Sequence, residues 1–386
     1  MARLTAVSCS PRWLGLALLL SVPVEVVGRD TLDPLAYVDP LIGATNGGNV
    51  FPGASMPYGM AKAVADTNSG SRQGGFTLDG SPVTGFSTMH DSGTGGSPSL
   101  GNFALFAYTN CPDGDVNRCA FPKKNRAAFG RFSESAVSAK PGTFGITLDS
   151  GIRAEMTTTH HASLFSFSFP SEGTDREPAQ PLILQDLTDL ADSRQDNATV
   201  SVDPETGRIT GSARFLPSFG TGTYVLHFCT DFSGAEIVDA GIFVNSRASA
   251  GVHNLTISRS INGYPLPGGA FVRFNSGAEP ILVRTATSFI SPKRACEHGE
   301  KEIPDFDFSA VSEAATDAWR EKMSPIRVSA TGVEGSMLTN FYSGIYRTMI
   351  NPQNYTGENP LWSSTEPYFD SFYWYGGGSL LILSAC

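Results

Sequence analysis

The feature that most constrains the fold is a series of short segments between residues 103 and 283 in which apolar and polar residues alternate. Because successive side chains of a strand point to opposite faces, a period of two predicts half-buried strands. The clearest segments are residues 165–169, 224–228, 271–274 and 281–283. Turn signals separate them, at Pro141-Gly142, residues 149–151 and 204–207, Asn262-Gly263 and residues 267–269. The sequence therefore predicts a mainly β fold built on a large antiparallel β-sandwich.

The pattern changes after Phe289, where apolar residues recur at spacings of three and four. Such spacing predicts two amphipathic helices. The first begins near Asp307 and ends before Pro325, and the second ends at Asn351-Pro352. Their apolar faces carry, respectively, Phe308, Val311, Ala315, Ala318, Trp319 and Met323, and Leu338, Phe341, Tyr342, Ile345, Tyr346 and Met349.

Charge excludes one large class of function. The chain has 27 Lys and Arg against 37 Asp and Glu, which gives a net charge of -10. No basic cluster is longer than Lys123-Lys124, so the sequence lacks the basic surface that nucleic-acid binding requires. A length of 386 residues and 40% hydrophobic residues indicate about two globular domains with a sizeable core.

The N-terminus has the pattern of a secretory signal peptide. Arg3 and Arg12 precede an apolar run over residues 13–24, and Val26-Val27-Gly28 offers a cleavage site after small residues. The alternative, a transmembrane anchor, needs about 20 apolar residues, and Pro23 and Glu25 interrupt the end of this run. We therefore expect residues 1–28 to be a signal peptide and the protein to be secreted, with no membrane span after cleavage.

Secretion would place the cysteines in an oxidising compartment, where some should pair. Removal of the signal peptide takes Cys9 and leaves Cys111, Cys119, Cys229, Cys296 and Cys386. Cys111 and Cys119 flank a polar, turn-rich loop that a local disulfide could close. A pair of Cys229 with Cys296 is also compatible and would leave Cys386 unpaired. The sequons at Asn197, Asn254 and Asn354 predict N-glycosylation.

Two loops rich in Gly and Pro carry the most specific motifs. One reads Tyr37-Val-Asp39-Pro-Leu-Ile-Gly43, then Gly47-Gly48-Asn49-Val-Phe51-Pro52-Gly53 and Pro57-Tyr-Gly59-Met60; the other reads Gly85-Phe-Ser-Thr-Met-His90-Asp91-Ser-Gly93-Thr-Gly95-Gly96. Glycine permits turns and close approach to a ligand, so these loops are candidates for binding. They resemble the N-terminal domain of glycoside hydrolase family 92, the calcium-dependent exo-acting α-mannosidases. Residues 288–291, 302–306 and 341–347 extend the resemblance, which we expect to end at Phe372.

The resemblance implies a domain order. After the signal peptide it implies a β-sandwich over residues 29–290, a helical linker over 291–328 and, over 329–372, the incomplete start of an (α/α)6 catalytic barrel. Residues 373–386 depart from the family pattern, so we expect a chain that is truncated before most of the barrel. The family would continue with a Trp-Asp-x-x-Arg segment that this sequence lacks.

The resemblance also implies a function, namely a secreted, inverting α-1,2-mannosidase that acts on mannose-containing N-glycans of glycoproteins. Its catalytic acid and base lie in barrel motifs without counterpart here, so we assign no catalytic residue and expect the chain to be inactive alone. The carboxylates near the end are interpreted as solvated: Glu358, Glu366 and Asp370. The alternative function is a non-catalytic carbohydrate-binding or structural module. A β-sandwich of another carbohydrate-active family would not explain the linker motifs.

The resemblance implies Ca2+ for the full-length enzyme, but its ligands are not identifiable in this chain. The acidic loops at Asp113-Gly-Asp115 and residues 186–196 lack the spacing of an EF-hand and are interpreted as solvated surface. His160-His161 could suggest a metal, but adjacent residues on a strand face opposite ways, so we interpret both as structural.

Substrate-binding residues are expected in the two glycine-rich loops. In the first, Gly47, Gly48 and Asn49 are predicted to face a ligand, whereas Phe51 suits the core; the alternative is a turn cluster that closes the sandwich. In the second, the candidates are His90, Asp91, Ser92 and Gly93. A histidine there can bind a sugar hydroxyl, or it can simply satisfy a loop carbonyl, and the sequence leaves both open.

Overall fold

Strands dominate the chain from residue 54 to residue 288. The computed structural model describes residues 32–70, 73–91, 100–171, 179–195, 197–217, 222–275, 277, 279–351 and 353–359. The predicted signal peptide, Ser92, Gly93, Glu366, Asp370 and Cys386 lie outside these residues. From Asp33 onward the described residues belong to one compact unit.

The described residues contain 17 strands. In chain order they are β1 (Ala54–Ser55), β2 (Lys62–Thr67), β3 (Val83–Ser87), β4 (Leu105–Tyr108), β5 (Phe132–Lys140), β6 (Thr143–Leu148), β7 (Arg153–Thr158), β8 (Ala162–Ser168), β9 (Leu182–Asp186), β10 (Ala198–Val202), β11 (Ile209–Phe215), β12 (Tyr224–Ser233), β13 (Ile237–Val244), β14 (Arg247–Ser249), β15 (Asn254–Ile257), β16 (Gly268–Phe274) and β17 (Ile281–Ser288). They form an eight-stranded sheet in the order β1-β2-β3-β4-β9-β16-β13-β14 and a nine-stranded sheet in the order β15-β10-β11-β12-β17-β8-β7-β6-β5. All the paired strands described are antiparallel, which confirms the predicted fold class.

Aromatic pairs join the inner faces of the two sheets. The ring centroid of Phe86 on β3 lies 5.3 Å from that of Phe167 on β8. Phe103, just before β4, lies 4.4 Å from Phe228 on β12. Buried aromatic side chains contribute large apolar areas, and such pairs add about 0.5–1.5 kcal/mol each beyond area burial. These contacts form the core that the period of two predicted.

Helices cover the outer face of the nine-stranded sheet. Ala162 and Leu164 of β8 pack with Ala286 of β17 and with Ile303, which follows a helix. Because Phe165 and Phe167 have the opposite parity on β8, both faces of this strand are buried. The strand is therefore central rather than half-buried.

Four α-helices are described, namely α1 (Lys123–Arg126), α2 (Pro292–Glu302), α3 (Phe308–Met323) and α4 (Gly335–Thr348), together with short 3-10 helices at Pro34–Tyr37, Pro112–Gly114 and Val116–Arg118. The two predicted amphipathic helices correspond to α3 and α4. Trp319 of α3 is fully buried, and its Nε1 donates to the Ser55 carbonyl at 2.6 Å. Helix α2 was not predicted, because its buried residues are Ala295, His298 and Gly299, which give no apolar stripe. Its start is a local signal, since the Ser291 side chain accepts from Arg294 N and Pro292 follows.

Glycine marks both a turn and a close approach of strands. Gly142 has φ +87° between β5 and β6, as a tight hairpin requires. The turn predicted at residues 267–269 is wrong for its two glycines, which lie in β16. A Cβ on Gly269 would lie 1.9 Å from the Gln185 carbonyl oxygen of β9, so this position needs glycine for packing.

Two disulfides are present in the described residues. Cys111 pairs with Cys119 across a local loop, with Cα atoms 4.9 Å apart. Cys229 of β12 pairs with Cys296 of α2, with Cα atoms 5.0 Å apart, and so joins the linker helix to the sandwich. The sequon residues Asn197, Asn254 and Asn354 are exposed, as glycosylation would require.

Two acidic residues of the 186–196 loop are buried, so their interpretation as solvated surface is wrong. Asp186 forms an ion pair with Arg126 in which both side chains are fully buried. Asp189 accepts hydrogen bonds from the backbone and hydroxyl of Ser193, and burial raises its pKa to about 6. The partner of Asp186 lies on another segment, and Ser193 reaches Asp189 only when the loop is folded. Residue type alone could therefore not predict that these two carboxylates are buried.

Candidate functional site

The first part of the 37–60 motif packs on α4. Asp39 N donates to Ser343 Oγ at 2.9 Å, and the Arg347 guanidinium donates to the Ile42 carbonyl. The ring of Tyr37 stacks on Tyr342 at 6.1 Å. These contacts span about 300 residues of sequence, which is why the motif alone did not reveal them.

The last part of the motif joins the residues that follow α4. Tyr58 has φ +57°, and this turn lets its N donate to the Met349 carbonyl at 2.8 Å and its carbonyl accept from Asn354 N at 2.8 Å. Lys62 Nζ donates to Asn351 Oδ1 at 2.7 Å. The Pro57-Tyr-Gly59-Met60 segment therefore attaches the sandwich to the helical region, a role that the sequence motif did not predict.

Between these parts lies an exposed loop that carries Gly47, Gly48 and Asn49. Gly47 has φ +74° and open space where a Cβ would point, whereas a Cβ on Gly48 would lie 2.4 Å from the Gly43 carbonyl oxygen. Asn49 has φ +55°, and its Nδ2 donates to the Gly47 carbonyl at 2.7 Å. Its Oδ1 is buried and has no hydrogen-bond partner within the described part of the chain. The loop thus holds a polar oxygen that the described residues leave without a donor.

His90 is buried below this loop, only 1% exposed. Its Nδ1 donates to the Lys62 carbonyl at 2.7 Å, its Nε2 lies 2.7 Å from Asp66 Oδ1, and its ring packs 5.4 Å from Phe51. Both ring nitrogens are therefore occupied by the protein. This arrangement supports the second interpretation left open by the sequence, a histidine that satisfies a carbonyl and supports the loop through Phe51.

Ser87, His90 and Asp66 do not form a nucleophilic triad, although the residue types invite that interpretation. The Ser87 hydroxyl donates to Asp66 Oδ2 at 2.6 Å and lies 3.0 Å from the same Nε2 that faces Asp66. A triad needs the base between nucleophile and carboxylate, one on each ring nitrogen. All three side chains are also buried, so no substrate could reach the hydroxyl.

Asp91 and Lys62 place opposite charges near the junction with α4. Asp91 is half-buried, and its charge interacts with the fully buried ammonium of Lys62. Burial lowers the pKa of Lys62 to about 7, and Asp91 opposes that shift. A perturbed lysine between the sandwich and the helices is typical of a functional region, although it is too deep to touch a ligand itself.

Glu358 is fully buried, so its interpretation as a solvated carboxylate is wrong. Its Oε2 accepts from Ser288 Oγ and Phe289 N, both at 2.7 Å, and its Oε1 lies 2.6 Å from His298 Nε2. These partners fasten the segment of residues 353–359 to the end of β17 and to α2.

Comparison with protein families agrees with this arrangement of a sandwich followed by helices. Residues 37–288 match the glycosyl hydrolase family 92 N-terminal domain, and residues 294–379 match the family 92 catalytic domain. The chain belongs to glycoside hydrolase family 92. The second match runs past Phe372, where the resemblance was expected to end.

Known relatives of this family 92 chain include a curated protein of Arthroderma benhamiae called an uncharacterized secreted glycosidase. It is 47% identical over 372 residues, which cover 94% of this chain and 48% of that protein. The chain therefore spans about half the length of this relative. In the described residues no helix is long and apolar enough to cross a membrane.

Solved structures share the fold. A family GH92 inverting mannosidase from Bacteroides thetaiotaomicron superposes with a TM-score of 0.70 at 21% identity, over 89% of this chain and 43% of that one. A family GH92 α-mannosidase from the same species, in complex with mannoimidazole, gives a TM-score of 0.69 at 22% identity, over 83% and 40%.

The metal-ligating cluster among the described residues does not suit calcium. Among them, one group of three or more metal-ligating side chains lies close together, namely His161, His298 and Glu358. Two of its three ligands are imidazoles, whereas Ca2+ takes six to eight oxygen ligands.

Proposed function

We propose that this chain is the substrate-shaping portion of a secreted, inverting exo-α-mannosidase of family 92. In this proposal the loop at Gly47, Gly48 and Asn49 contacts a terminal α-linked mannose of an N-glycan. The residues that cleave the bond lie outside the described part of the chain, so the chain by itself binds mannosides weakly and does not hydrolyse them.

The observation that carries the proposal is the orphaned Asn49 Oδ1. A buried acceptor without a partner costs about 1–3 kcal/mol unless a ligand or water supplies a donor. Asn49 is half-buried beside the exposed Gly47 and Gly48, so rotation of its side-chain amide brings Oδ1 to the surface, where a mannose hydroxyl is such a donor. The Gly48 position supports this role, since the packing of this loop on Gly43 leaves no room for a side chain there.

Hydrolysis with inversion requires two carboxyl groups about 6.5–9.5 Å apart, one as acid and one as base. The sequence supplied one candidate that falls in the described residues, Glu358, and hydrogen bonds occupy both of its oxygens. A carboxylate held this way lacks a free face for a water or a leaving group. This supports the proposal that the catalytic pair belongs to other residues.

A non-catalytic module is the second candidate function. It is favoured by the contacts of Asp39, Tyr58 and Lys62, which show that much of the family motif packs against helical residues rather than facing solvent. In that case the loop at Gly47 would be a surface turn with no ligand.

The test uses the purified chain with α-1,2-mannobiose. Mannose release is measured with and without a chelator, and binding is measured by ligand-observed NMR. We expect binding without release, and we expect Asn49→Gly to weaken binding about 3- to 10-fold, the effect of one lost hydrogen bond. Asn46→Gly is the matched control, because Asn46 is an exposed loop neighbour that also has positive φ.

Each outcome decides between the candidates. Mannose release by the chain would refute the claim that its catalytic pair lies elsewhere. Absence of binding, or equal binding by the Asn49→Gly variant, would refute the contact with mannose and leave the structural module.

A further inference from the structure

Four of the six histidines of the chain surround two glutamates on the outer face of the nine-stranded sheet. His161 Nδ1 lies 2.6 Å from Glu302 Oε1, and His298 Nε2 lies 2.6 Å from Glu358 Oε1. The other two, His160 and His227, interact electrostatically with Glu302 and Glu358, respectively. These histidines and glutamates are distant from the Gly47 loop in sequence, and the proposed function assigns them no role.

The two central imidazoles share one orientation. The rings of His161 and His298 stack with centroids 4.0 Å apart and planes within 6°. Glu302 Oε1 lies 2.6 Å from Nδ1 of His161 and 3.9 Å from Nδ1 of His298, so one carboxylate stands behind both rings. A carboxylate behind a histidine is the arrangement that orients metal-binding imidazoles and raises their basicity. The lone pair of an imidazole nitrogen lies in the ring plane, so the half-buried His161 ring must turn out of this stack for both imidazoles to bind one ion.

The ligand atoms are close enough to converge. One ligand atom each from His161, His298 and Glu358 lie within 4.8 Å of one another. In the structure His298 Nε2 and Glu358 Oε1 are 2.6 Å apart, which is a hydrogen-bond distance. A metal ion replaces the shared proton when the two atoms separate to about the 3.3 Å expected between ligands about 2.0–2.1 Å from zinc.

The donor set selects the metal. Two imidazoles with one carboxylate suit Zn2+, which takes His2Glu sites with a fourth position left for water. A cavity of about 570 Å3, lined by His161, His298, Glu302 and Thr356 among others, gives an ion access to the two imidazoles, whereas Glu358 is fully buried and is reached past His298. We propose that His161, His298 and Glu358 bind a zinc ion, with Glu302 as the carboxylate that positions the imidazoles.

The position of the site defines what the ion would do. His161 precedes β8, His298 lies on α2, and Glu358 lies in the segment of residues 353–359. One ion would therefore fasten the linker helix and the first residues beyond α4 to the sandwich. Its place differs from that of the Asn49 loop, so the two proposals fail independently.

Arg294 provides a test that a purely structural cluster would not pass. Its Nε lies 4.0 Å from Glu358 Oε1, and its side chain is 44% exposed. The guanidinium repels a cation at the same carboxylate. Arg294→Gln should therefore tighten zinc binding, even though it removes an ion pair from the cluster.

The experiment uses the full chain with a tag that contains no histidine, freed of metal by dialysis against a chelator. Zn2+ is titrated by calorimetry, and Co2+ serves as a spectroscopic probe of tetrahedral nitrogen and oxygen ligands. We expect one ion per chain, no response to Ca2+ or Mg2+, and a higher unfolding temperature with Zn2+. His298→Gln and His161→Ala should each weaken binding at least about 100-fold, and Glu302→Gln about 10- to 100-fold.

His253→Ala is the matched control, because His253 lies outside the cluster and bonds the Ala250 carbonyl. It should keep zinc binding and the thermal shift. His161 is half-buried, so its variant keeps the test open if His298→Gln fails to fold. Absence of stoichiometric binding, or unchanged affinity in the His161→Ala variant, would overturn the proposal. Weaker binding in Arg294→Gln would also contradict it.

Discussion

The two disulfides should differ strongly in what they contribute to stability. A disulfide acts largely by restricting the unfolded chain, and its contribution grows with the length of the loop it closes. Cys229 and Cys296 are separated by 67 residues, which corresponds to about 4.4 kcal/mol in the chain-entropy relation. Cys111 and Cys119 are separated by 8 residues, which corresponds to about 2.5 kcal/mol.

The test compares two double variants, Cys229→Ala/Cys296→Ala and Cys111→Ala/Cys119→Ala. Urea unfolding is followed by tryptophan fluorescence and far-UV circular dichroism after reversibility has been checked. We expect the first variant to lose about 2 kcal/mol more than the second. The shorter disulfide is a suitable control, because Cys111, Cys119 and Cys229 are all no more than 5% exposed, and Cys296 is half-buried, so the longer disulfide loses no more packing than the shorter one.

Equal losses in the two variants would refute the loop-length reasoning. A larger loss from the shorter loop would show that native packing, not the unfolded chain, sets the contribution. Unfolding in two separate steps after removal of the longer disulfide would show that it holds α2 to the sheet, and the single free energies would then no longer apply.

Three further substitutions test the packing. Lys62→Met should stabilise the protein at pH 7, because it removes a buried charge. The pKa of Lys62 is about 7 in the folded state and 10.5 in the unfolded state, so the unfolded state binds more protons between these pH values and wild-type stability rises across that window by on the order of 4 kcal/mol. Urea midpoints measured from pH 7 to 10 should lose this slope in the variant, and a retained slope would contradict the assignment of the pKa shift to Lys62. Trp319→Ala should cost about 3–5 kcal/mol in urea unfolding, because it empties a fully buried site and leaves the Ser55 carbonyl without its donor; a loss below about 1 kcal/mol would count against that packing. Gly269→Ala should lower the unfolding temperature, because its Cβ would lie 1.9 Å from the backbone of the neighbouring strand. Gly344→Ala, in an open position on α4, should stabilise the protein by about 0.5–1 kcal/mol. A Gly269→Ala variant that is more stable than the Gly344→Ala variant would refute the contact at Gly269.

The sequence revealed the sandwich because its signal is local. Phe165 and Phe167 alternate with serines, and a period of two needs no knowledge of distant residues. It could not reveal that Ala162 and Leu164 are also covered, since their partners Ala286 and Ile303 arrive from elsewhere in the chain. Helix α2 was not predicted for a related reason, because a disulfide and buried polar groups hold it in place rather than an apolar stripe.

The candidate site was found as a motif but only partly understood. Glycine spacing indicated the loop at Gly47 and Gly48, because backbone conformations with positive φ or close approach require glycine. The role of Lys62 depends on Asn351, 289 residues away, and that of Glu358 on His298, 60 residues away. Such pairs have no local signature, so an ordinary solvated carboxylate was the natural interpretation of Glu358.

The junction between the sandwich and the helical region is held by directional polar contacts as much as by apolar burial. Lys62 and Glu358 are both fully buried there, and each is bonded to a partner across the junction. Buried charges contribute little net stability, but a shifted or rotated junction would leave them unpaired at a cost of several kcal/mol. Apolar surfaces can slide over each other, whereas these polar contacts form in only one alignment of the helical region on the sandwich. The Gly47 loop is attached to the same junction on both sides, through Asp39 and Tyr58, so the alignment that satisfies the charges also fixes the position of the loop.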